Sequence, residues 1–577
     1  MDAKAVAAIL DEIGTLLELQ GENPFRCNAY RQGARALEQH SGDLAELVAK
    51  KELHTIPGIG KTLEEKISTL VETGRLPFYE ELKAKTPPGL LELLRVPGLG
   101  PKKIKALFDE LGVNSLAALK AACEANKVAG LKGFGAKTQQ KILEGIAFFD
   151  RTGKRYLINE AEAMGLALVA RLKALKGVQR IELCGSLRRR KETVADLDVL
   201  VSSADAGPIM EAFVKHPEVE QVLGQGPTKS SVLLKNGMQA DLRVVKDAEF
   251  PFALHYFTGS KEHNIAIRAR AQDYGLKLNE YGLVGEKKSV KAKDEADIFK
   301  ALDLDWMPPE MREATGEIEA AARHELPELV TVDDLKGTFH CHTTYSDGTA
   351  SVEEMAQAAK ALGFSYLGLG DHSQSLKVAN GLTLERLEEQ WAEIDRVNEK
   401  MKGFHLLKGT ECDILGDGRL DYPDKVLERF EYVVVSVHTL MNQKREEMTA
   451  RIIKAVSHPR VTMLGHMTGR LLLRRDSYAV DEDAVFRAAA KHGTLIEINA
   501  HPQRLDLDWL GCKKAKALGV KFVINPDAHA TDEIALTRFG VDVARRGWLE
   551  KDDVINCLPY PTIIKRLKEY SGKLVRN

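Results

Sequence analysis

Seven short apolar runs in the C-terminal part of the chain each stop at a residue able to hold a metal ion, and few folds accommodate such a series. The runs are 337–342, 366–371, 405–410, 432–437, 461–464, 495–499 and 522–525. At or just beyond their ends stand His340 and His342 with Asp347, then Asp371 with His372, Glu411, His438, His466, Glu497 with Asn499, and Asp527 with His529. Helix-length stretches separate the runs. Strand–helix alternation repeated seven times predicts a barrel, whose site residues collect at the C-terminal rim, so residues spread over roughly 190 positions would converge there. Imidazoles and carboxylates without thiols favour Zn, Mn or Fe in a catalytic role over a structural zinc. Cys341 and Cys412 alternate to the opposite side of their strands. His405, His458, His492 and His501 do not fit the strand-end rule and are read as structural.

The first 150 residues follow a different rhythm, with apolar residues at helical spacing and almost no β-branched alternation. A short pattern recurs there as Ile56-Pro57-Gly58-Ile59-Gly60-Lys61, Val96-Pro97-Gly98-Leu99-Gly100-Pro101-Lys102 and Leu131-Lys132-Gly133-Phe134-Gly135-Ala136-Lys137. Paired glycines permit a tight turn whose N–H groups face outward at a helix start, which is an anion site, and each lysine adds a charge. One copy would pass as an ordinary helix–helix turn. Three copies with matching lysines point to helix-hairpin-helix elements that hold DNA phosphates without reading sequence. The net charge of −2 excludes a uniformly basic binder, yet residues 101–200 hold 19 Lys+Arg against 11 Asp+Glu. A local basic surface of that kind suffices for a phosphate backbone.

Between about 155 and 315 the pattern is mixed α/β. A strand-like run ends in Cys184-Gly185-Ser186-Leu187-Arg188-Arg189-Arg190, followed by Ala195-Asp196-Leu197-Asp198-Val199. Residues i and i+2 of a strand share a face, so Asp196 and Asp198 point together and repel unless a cation lies between them. Asp241, in the run 239–245, supplies a third carboxylate, and three on neighbouring strands suit two-metal phosphoryl transfer with magnesium. Residues 303–336, with Pro308-Pro309, Pro327 and many acids, read as a connector.

Taken in order, C-G-S-L-R-R-R, D-L-D, A-D-L-R and Tyr256-Phe257-Thr258-Gly259-Ser260 resemble an X-family DNA polymerase, similar to polymerase beta, across residues 1–315. The resemblance implies palm metal ligands at Asp196, Asp198 and Asp241, with Mg2+ or Mn2+ as the ion. It implies nucleotide contacts from Gly185, Ser186 and Arg189, a sugar-edge contact from Tyr256, Phe257, Thr258 and Gly259, and minor-groove positions for Asn264 and Arg268. DNA contacts would come from Gly58, Gly60, Lys61, Gly98, Gly100, Lys102, Gly133, Gly135 and Lys137. Lys66 occupies the position of the family's deoxyribose-phosphate lyase lysine, which forms a Schiff base. That match is incomplete: Phe25 replaces a histidine and Thr62 a supporting lysine, while Tyr30 is retained.

H-C-H-T-T-Y-S-D-G, with G-D-H-S, G-T-E-C-D, S-V-H-T, G-H-M-T and P-D-A-H downstream, resembles the polymerase-and-histidinol-phosphatase (PHP) family, a distorted seven-stranded β/α barrel. This resemblance implies a site for about three Mn2+, Zn2+ or Fe2+ ions held by His340, His342, Asp347, His372, Glu411, His438, His466, Asp527 and His529. It also implies a 3′→5′ exonuclease, with abasic-site endonuclease and 3′-phosphatase activities. The expected organisation is multidomain, α and α/β. It comprises a helical 8-kDa-like domain (1–85), a fingers-type helical subdomain (86–150), a nucleotidyltransferase palm (151–245), a thumb-type subdomain (246–315), a linker (316–334) and the barrel (335–577).

Gap-filling base excision repair on gapped or recessed double-stranded DNA with deoxynucleoside triphosphates is the expected function. The alternatives are a small-molecule phosphoesterase barrel and a non-enzymatic DNA-end scaffold. The longest apolar runs fall far short of the roughly 20 residues of a membrane helix. Seven cysteines without a C-x-x-C pair argue against a disulfide framework. A reducing, cytoplasmic compartment is therefore expected, and the resemblance implies a bacterial, nucleoid-associated protein, expected as a monomer.

Overall fold

The computed structural model describes residues 1, 3–38, 44–56, 58–94, 96, 99–152, 155–286 and 289–570. The chain divides into two compact units, Met1–Gly153 and Lys154–Asn577. The first is helical, as the 3.6-residue periodicity requires. Three of its helices follow the glycine turns: α1 (Lys61–Thr73), α2 (Pro101–Leu111) and α3 (Gly135–Thr152). In α1, Leu63, Ile67 and Leu70 are buried along one face, and Gly74 ends the helix in the left-handed region at φ +70°. Pro101 opens α2 at a position where its missing N–H has no helical partner to lose.

In the second unit a five-stranded sheet forms first. Its strands are β1 (Arg180–Leu183), β2 (Asp196–Ser202), β3 (Val219–Gln225), β4 (Lys229–Leu234) and β5 (Gln239–Val245), in the order β1-β2-β5-β4-β3. Strands β2 and β5 run parallel with Asp198 opposite Asp241. Leu197, Val199 and Val201 bury one face of β2, which leaves the aspartates on the other. A one-turn helix, α4 (Gly185–Arg188), links β1 to the rest, and α5 (Phe250–Thr258) and α6 (Lys261–Asp273) follow β5.

The seven expected barrel strands are all present: β6 (Gly337–Cys341), β7 (Tyr366–Leu369), β8 (His405–Asp413), β9 (Tyr432–Ser436), β10 (Met463–Leu464), β11 (Leu495–Asn499) and β12 (Phe522–Asn525). They pair in parallel in sequence order. A bridge from Cys341 to Ala528 and a bond from the Thr338 hydroxyl to the Ile524 carbonyl bring β6 and β12 together, so the ring is nearly closed. Both faces of these strands are buried, one against an inner core containing Phe339, Tyr432 and Val434 and the other beneath helices. Helix α7 (Thr537–Arg546) lies beyond β12.

The acidic stretch read as a connector is bound into the fold at both ends. Glu317 is fully buried and pairs with His263 at 2.8 Å, while the Val330 amide donates to the Leu549 carbonyl at 3.0 Å. All seven cysteines are buried and unpaired. No helix of the described residues is long and apolar enough to cross a membrane.

Candidate active sites

The first candidate site sits on the five-stranded sheet. Register places the Asp198 and Asp241 carboxylates side by side with Asp196 two residues away. Burial, reinforced by Asp196 and Asp241, pushes the Asp198 carboxyl up to about 7. Lys229 stands 3.3 Å from Asp241 and offsets part of this repulsion. Gly185 packs directly on the cluster: at φ +61°, a Cβ there would lie 2.3 Å from the Asp198 carboxylate. The Cys-Gly-Ser turn is thus a glycine seat for the carboxylates, which accounts for the motif physically.

Because Asp198 titrates higher folded than unfolded, its contribution to stability is present below its unfolded value and lost as pH rises through about 7. In metal-free protein, Asp198→Asn is therefore expected to raise Tm at pH 8 and leave it nearly unchanged at pH 4. Excess Mg2+ should narrow the difference at pH 8. Equal effects at both pH values in a thermal melt would refute this.

The three arginines after the turn are each committed to a carboxylate. Arg188 pairs with Glu295 at 2.7 Å, Arg189 with Glu313 at 3.1 Å, and Arg190 with both Glu162 and Asp542 at 2.6 Å. Arg189 also donates to the Thr258 carbonyl, and its guanidinium lies against Gly259, which ties the Tyr256–Gly259 segment to Arg189. Asn264 donates to the Tyr256 carbonyl at 2.7 Å, and Arg268 to the Asn264 carbonyl at 3.2 Å. Of the expected nucleotide residues, Gly185 thus lies against Asp198, Arg189 is joined to the Tyr256–Gly259 segment, and Asn264 and Arg268 are tied partly to backbone.

In the helical unit, Gly60 and Gly100 cap α1 and α2 without any side-chain bond to the free helix N–H groups. Both have negative φ, and a Cβ at either would meet nothing within 4 Å. Neither glycine is required by its φ or its neighbours, and a helix N-terminus left open in this way suits an anion. Gly58 and Gly133, at φ +93° and +88°, do need to be glycine, and Lys61, Lys102 and Lys137 are exposed. Gly98 lies outside the described residues. Replacing one of these lysines by Ala should lower the slope of log K against log salt for duplex DNA by about one unit. Gly60→Ala should weaken binding while changing stability by less than about 1 kcal/mol. Unchanged salt slopes in fluorescence titrations of all three lysine variants would reduce the turns to structural elements.

Lys66 in α1 stands 4.1 Å above the Phe78 ring. Burial and the nearby Arg26 hold its ammonium below the ordinary lysine range. Tyr30 is buried in the same core, whereas Phe25 is 85% exposed.

The barrel rim gathers the second candidate site. All nine residues expected there fall into four overlapping groups whose donor atoms lie within 4.8 Å of one another. These are His342-Asp347-His372-His529, His340-His466-Asp527, His340-His342-Glu411 and His372-Glu411-His438. Glu411 lies at the centre, 2.9 Å from His372 and His466 and 3.2 Å from His340 and His438. One ring nitrogen each of His340, His342, His372 and His466 is buried with no aligned hydrogen bond among the described residues. Imidazoles and carboxylates converging in this way on a buried acidic pocket fit metal ions. His340, His466 and Asp527 adopt φ values of +56°, +21° and +53°, and β6 carries a register shift between Thr338 and Cys341. Such backbone costs about 1–3 kcal/mol per residue and here turns ligands inward that plain alternation would not.

Behind these ligands lies a supporting layer, of which Glu497 and Asp371 stand at the strand ends read from sequence and Asp413 does not. Glu497 accepts from His340 Nδ1 at 2.6 Å and Asp413 accepts from His438 Nδ1, which leaves both Nε2 atoms facing the pocket. Asp371, beside His372, instead binds the Thr343 amide, Ser346 and Gln390. Burial alone would depress His372, His438 and His529; the carboxylates outweigh it and raise them to about 10, 9 and 9. Burial with His529 and His372 nearby takes His342 down to about 4.

Comparison with known families accords with these two halves. The helix-hairpin-helix domain matches residues 1–76, the SAM-like helix-hairpin-helix tandem 90–147, the DNA polymerase beta thumb 253–313 and the PHP domain 338–501. A probable phosphatase of Thermoanaerobacter is 27% identical over 40% of this chain and 92% of its own length. Rat DNA polymerase lambda is 26% identical over 53% of this chain and 55% of its own. The DNA polymerase/3′-5′ exonuclease PolX of Bacillus subtilis is 38% identical over the full length of both chains. With the helix-hairpin-helix unit, the aspartate sheet and the histidine-rimmed barrel in the same order, this chain belongs to the bacterial PolX family of X-family polymerases fused to a PHP domain.

Proposed function

We propose that the chain fills short gaps in DNA at the aspartate sheet and removes 3′-terminal nucleotides at the barrel, as a base excision repair polymerase with its own nuclease. The observation that carries this reading is the pair of separate sites, one of three aspartates and one of nine imidazoles and carboxylates. Asp196, Asp198 and Asp241 would hold Mg2+ or Mn2+. The nine barrel residues would hold about three Mn2+, Zn2+ or Fe2+ ions, imidazoles preferring these to magnesium. Bound ions supply Lewis acidity towards phosphoryl oxygens and lower the pKa of water towards about 7. The chain's own part is positional. Gly185 seats the carboxylates, Ser186 and Arg189 orient the triphosphate, and Glu497 and Asp413 fix the tautomers of His340 and His438. Abasic-site endonuclease and 3′-phosphatase activities would use the same rim. Incubation with gapped and recessed DNA, with Mg2+ or Mn2+ and with or without nucleotides, tests the whole. Extension requiring nucleotides and shortening in their absence are expected, and failure of either sinks the corresponding half.

The lowered Lys66 ammonium supports a second activity in the helical unit, deoxyribose-phosphate lyase chemistry through a Schiff base. Borohydride should trap wild-type protein on DNA with a 5′-deoxyribose phosphate and trap Lys66→Ala at background. Equal trapping of both would assign Lys66 to phosphate contact alone.

A further inference from the structure

The polymerase half and the barrel belong to one compact unit, and a single barrel helix makes a row of contacts to the polymerase half, those of Asp542 and Arg546 reaching the nucleotide turn. Along α7, Arg538, Asp542, Arg545 and Arg546 recur at helical spacing. Arg538 pairs with Glu162, Asp542 with Arg190 at 2.6 Å, and Arg545 with Glu310 at 2.8 Å. Arg546 donates to the backbone carbonyl of Arg189 at 2.7 Å and shares Glu313 with the Arg189 side chain, both at 3.1 Å.

We propose that Asp542 and Arg546 of the nuclease barrel are positioning residues for nucleotide addition, holding the Gly185–Arg190 turn in its triphosphate-binding shape. The inference rests on the reading above that Ser186 and Arg189 contact the triphosphate. Arg190 sits at φ +58°, a left-handed conformation that strains any L-residue with a Cβ and persists only when held. Glu162 and Asp542 grip its guanidinium from two sides. Arg546 is fully buried, its Nε and second amino group without hydrogen-bond partners, over the ring of Trp509 at 4.9 Å. A buried charge of this kind is no more stabilising than a packed apolar side chain, so its distinct contribution is geometric. It fixes the Arg189 carbonyl and divides the Glu313 carboxylate between two arginines. Without it, Glu313 is free to draw the Arg189 guanidinium away from the aspartates.

Single-turnover gap filling with full-length protein and Mg2+, over a range of nucleotide concentrations, separates nucleotide affinity from the rate at saturation. Arg546→Met and Asp542→Asn should each weaken apparent nucleotide affinity about tenfold, with the saturated rate changed less than about threefold. Arg546→Lys, which keeps one donor for the carbonyl, should fall between. Arg189→Gln should weaken the same affinity, and barrel metal content should be unchanged in every variant. If Arg189→Gln is impaired while both barrel variants bind nucleotide normally, the positioning role is wrong and the triphosphate reading stands. If Arg189→Gln itself binds normally, both fall. A loss confined to Tm or metal content marks the contacts as structural and also overturns the proposal. Should Arg546→Met fail to fold, Asp542→Asn decides alone, because Arg190 then still retains Glu162.

Discussion

Asp198→Ala is expected to abolish nucleotide addition, by at least about 10³-fold, while 3′-end degradation continues near the wild-type rate. Asp198 lies in register with Asp241 on a parallel pair, and burial with the like charge of Asp196 and Asp241 raises its carboxyl to about 7. Removing it relieves the repulsion and with it the reason for a cation to bind, so the apoprotein should not be destabilised. Asp196→Ala should act in the same direction. The barrel's donors come from separate strands and are untouched. Equal loss of both activities in a folded Asp198 variant would show that the two sites are one.

The second large effect belongs to the barrel. His340 and His342 contribute to three of the four donor groups, and only His372-Glu411-His438 survives their removal intact, beside the remnant Asp347-His372-His529. The double variant His340→Ala, His342→Ala should therefore lose exonuclease activity by at least about 10³-fold and most of its bound transition metal, while gap filling with magnesium persists. Elemental analysis of the purified protein checks the metal directly: more than one Mn, Zn or Fe per wild-type chain, falling in the variant. Metal-free wild-type protein that still degrades DNA would refute the assignment.

The barrel was legible because its strands are apolar on both faces, so a histidine or carboxylate closing each one stands out against Val, Ile and Leu. The nine rim residues lie together for that reason. Glu497 was visible as a polar strand end, but its role as acceptor for His340 depends on an inward turn at φ +56° that alternation does not predict. Asp371 looked like a ligand by position and instead organises the loop through Thr343, Ser346 and Gln390. In the aspartate sheet, period-2 alternation was enough to place Asp196 with Asp198. The fate of the arginine cluster was not readable. Arg190 finds Asp542 across 352 positions of sequence, and nothing periodic connects them. The charged face of α7 reads in isolation as an ordinary solvated surface, yet Arg546 on it is fully buried.

The seven buried cysteines carry a consequence for the chemistry the protein tolerates. Burial raises the pKa of every one, to about 12 for Cys412 and Cys557, so the folded chain presents almost no thiolate at neutral pH. Peroxide and thiol-directed alkylating agents act on accessible thiolates and find none on the folded surface. Oxidants that break DNA strands would thus meet only buried thiols on the folded chain. The same property gives the experimenter a blank background, in which a cysteine introduced on either unit is the one site a maleimide dye can label.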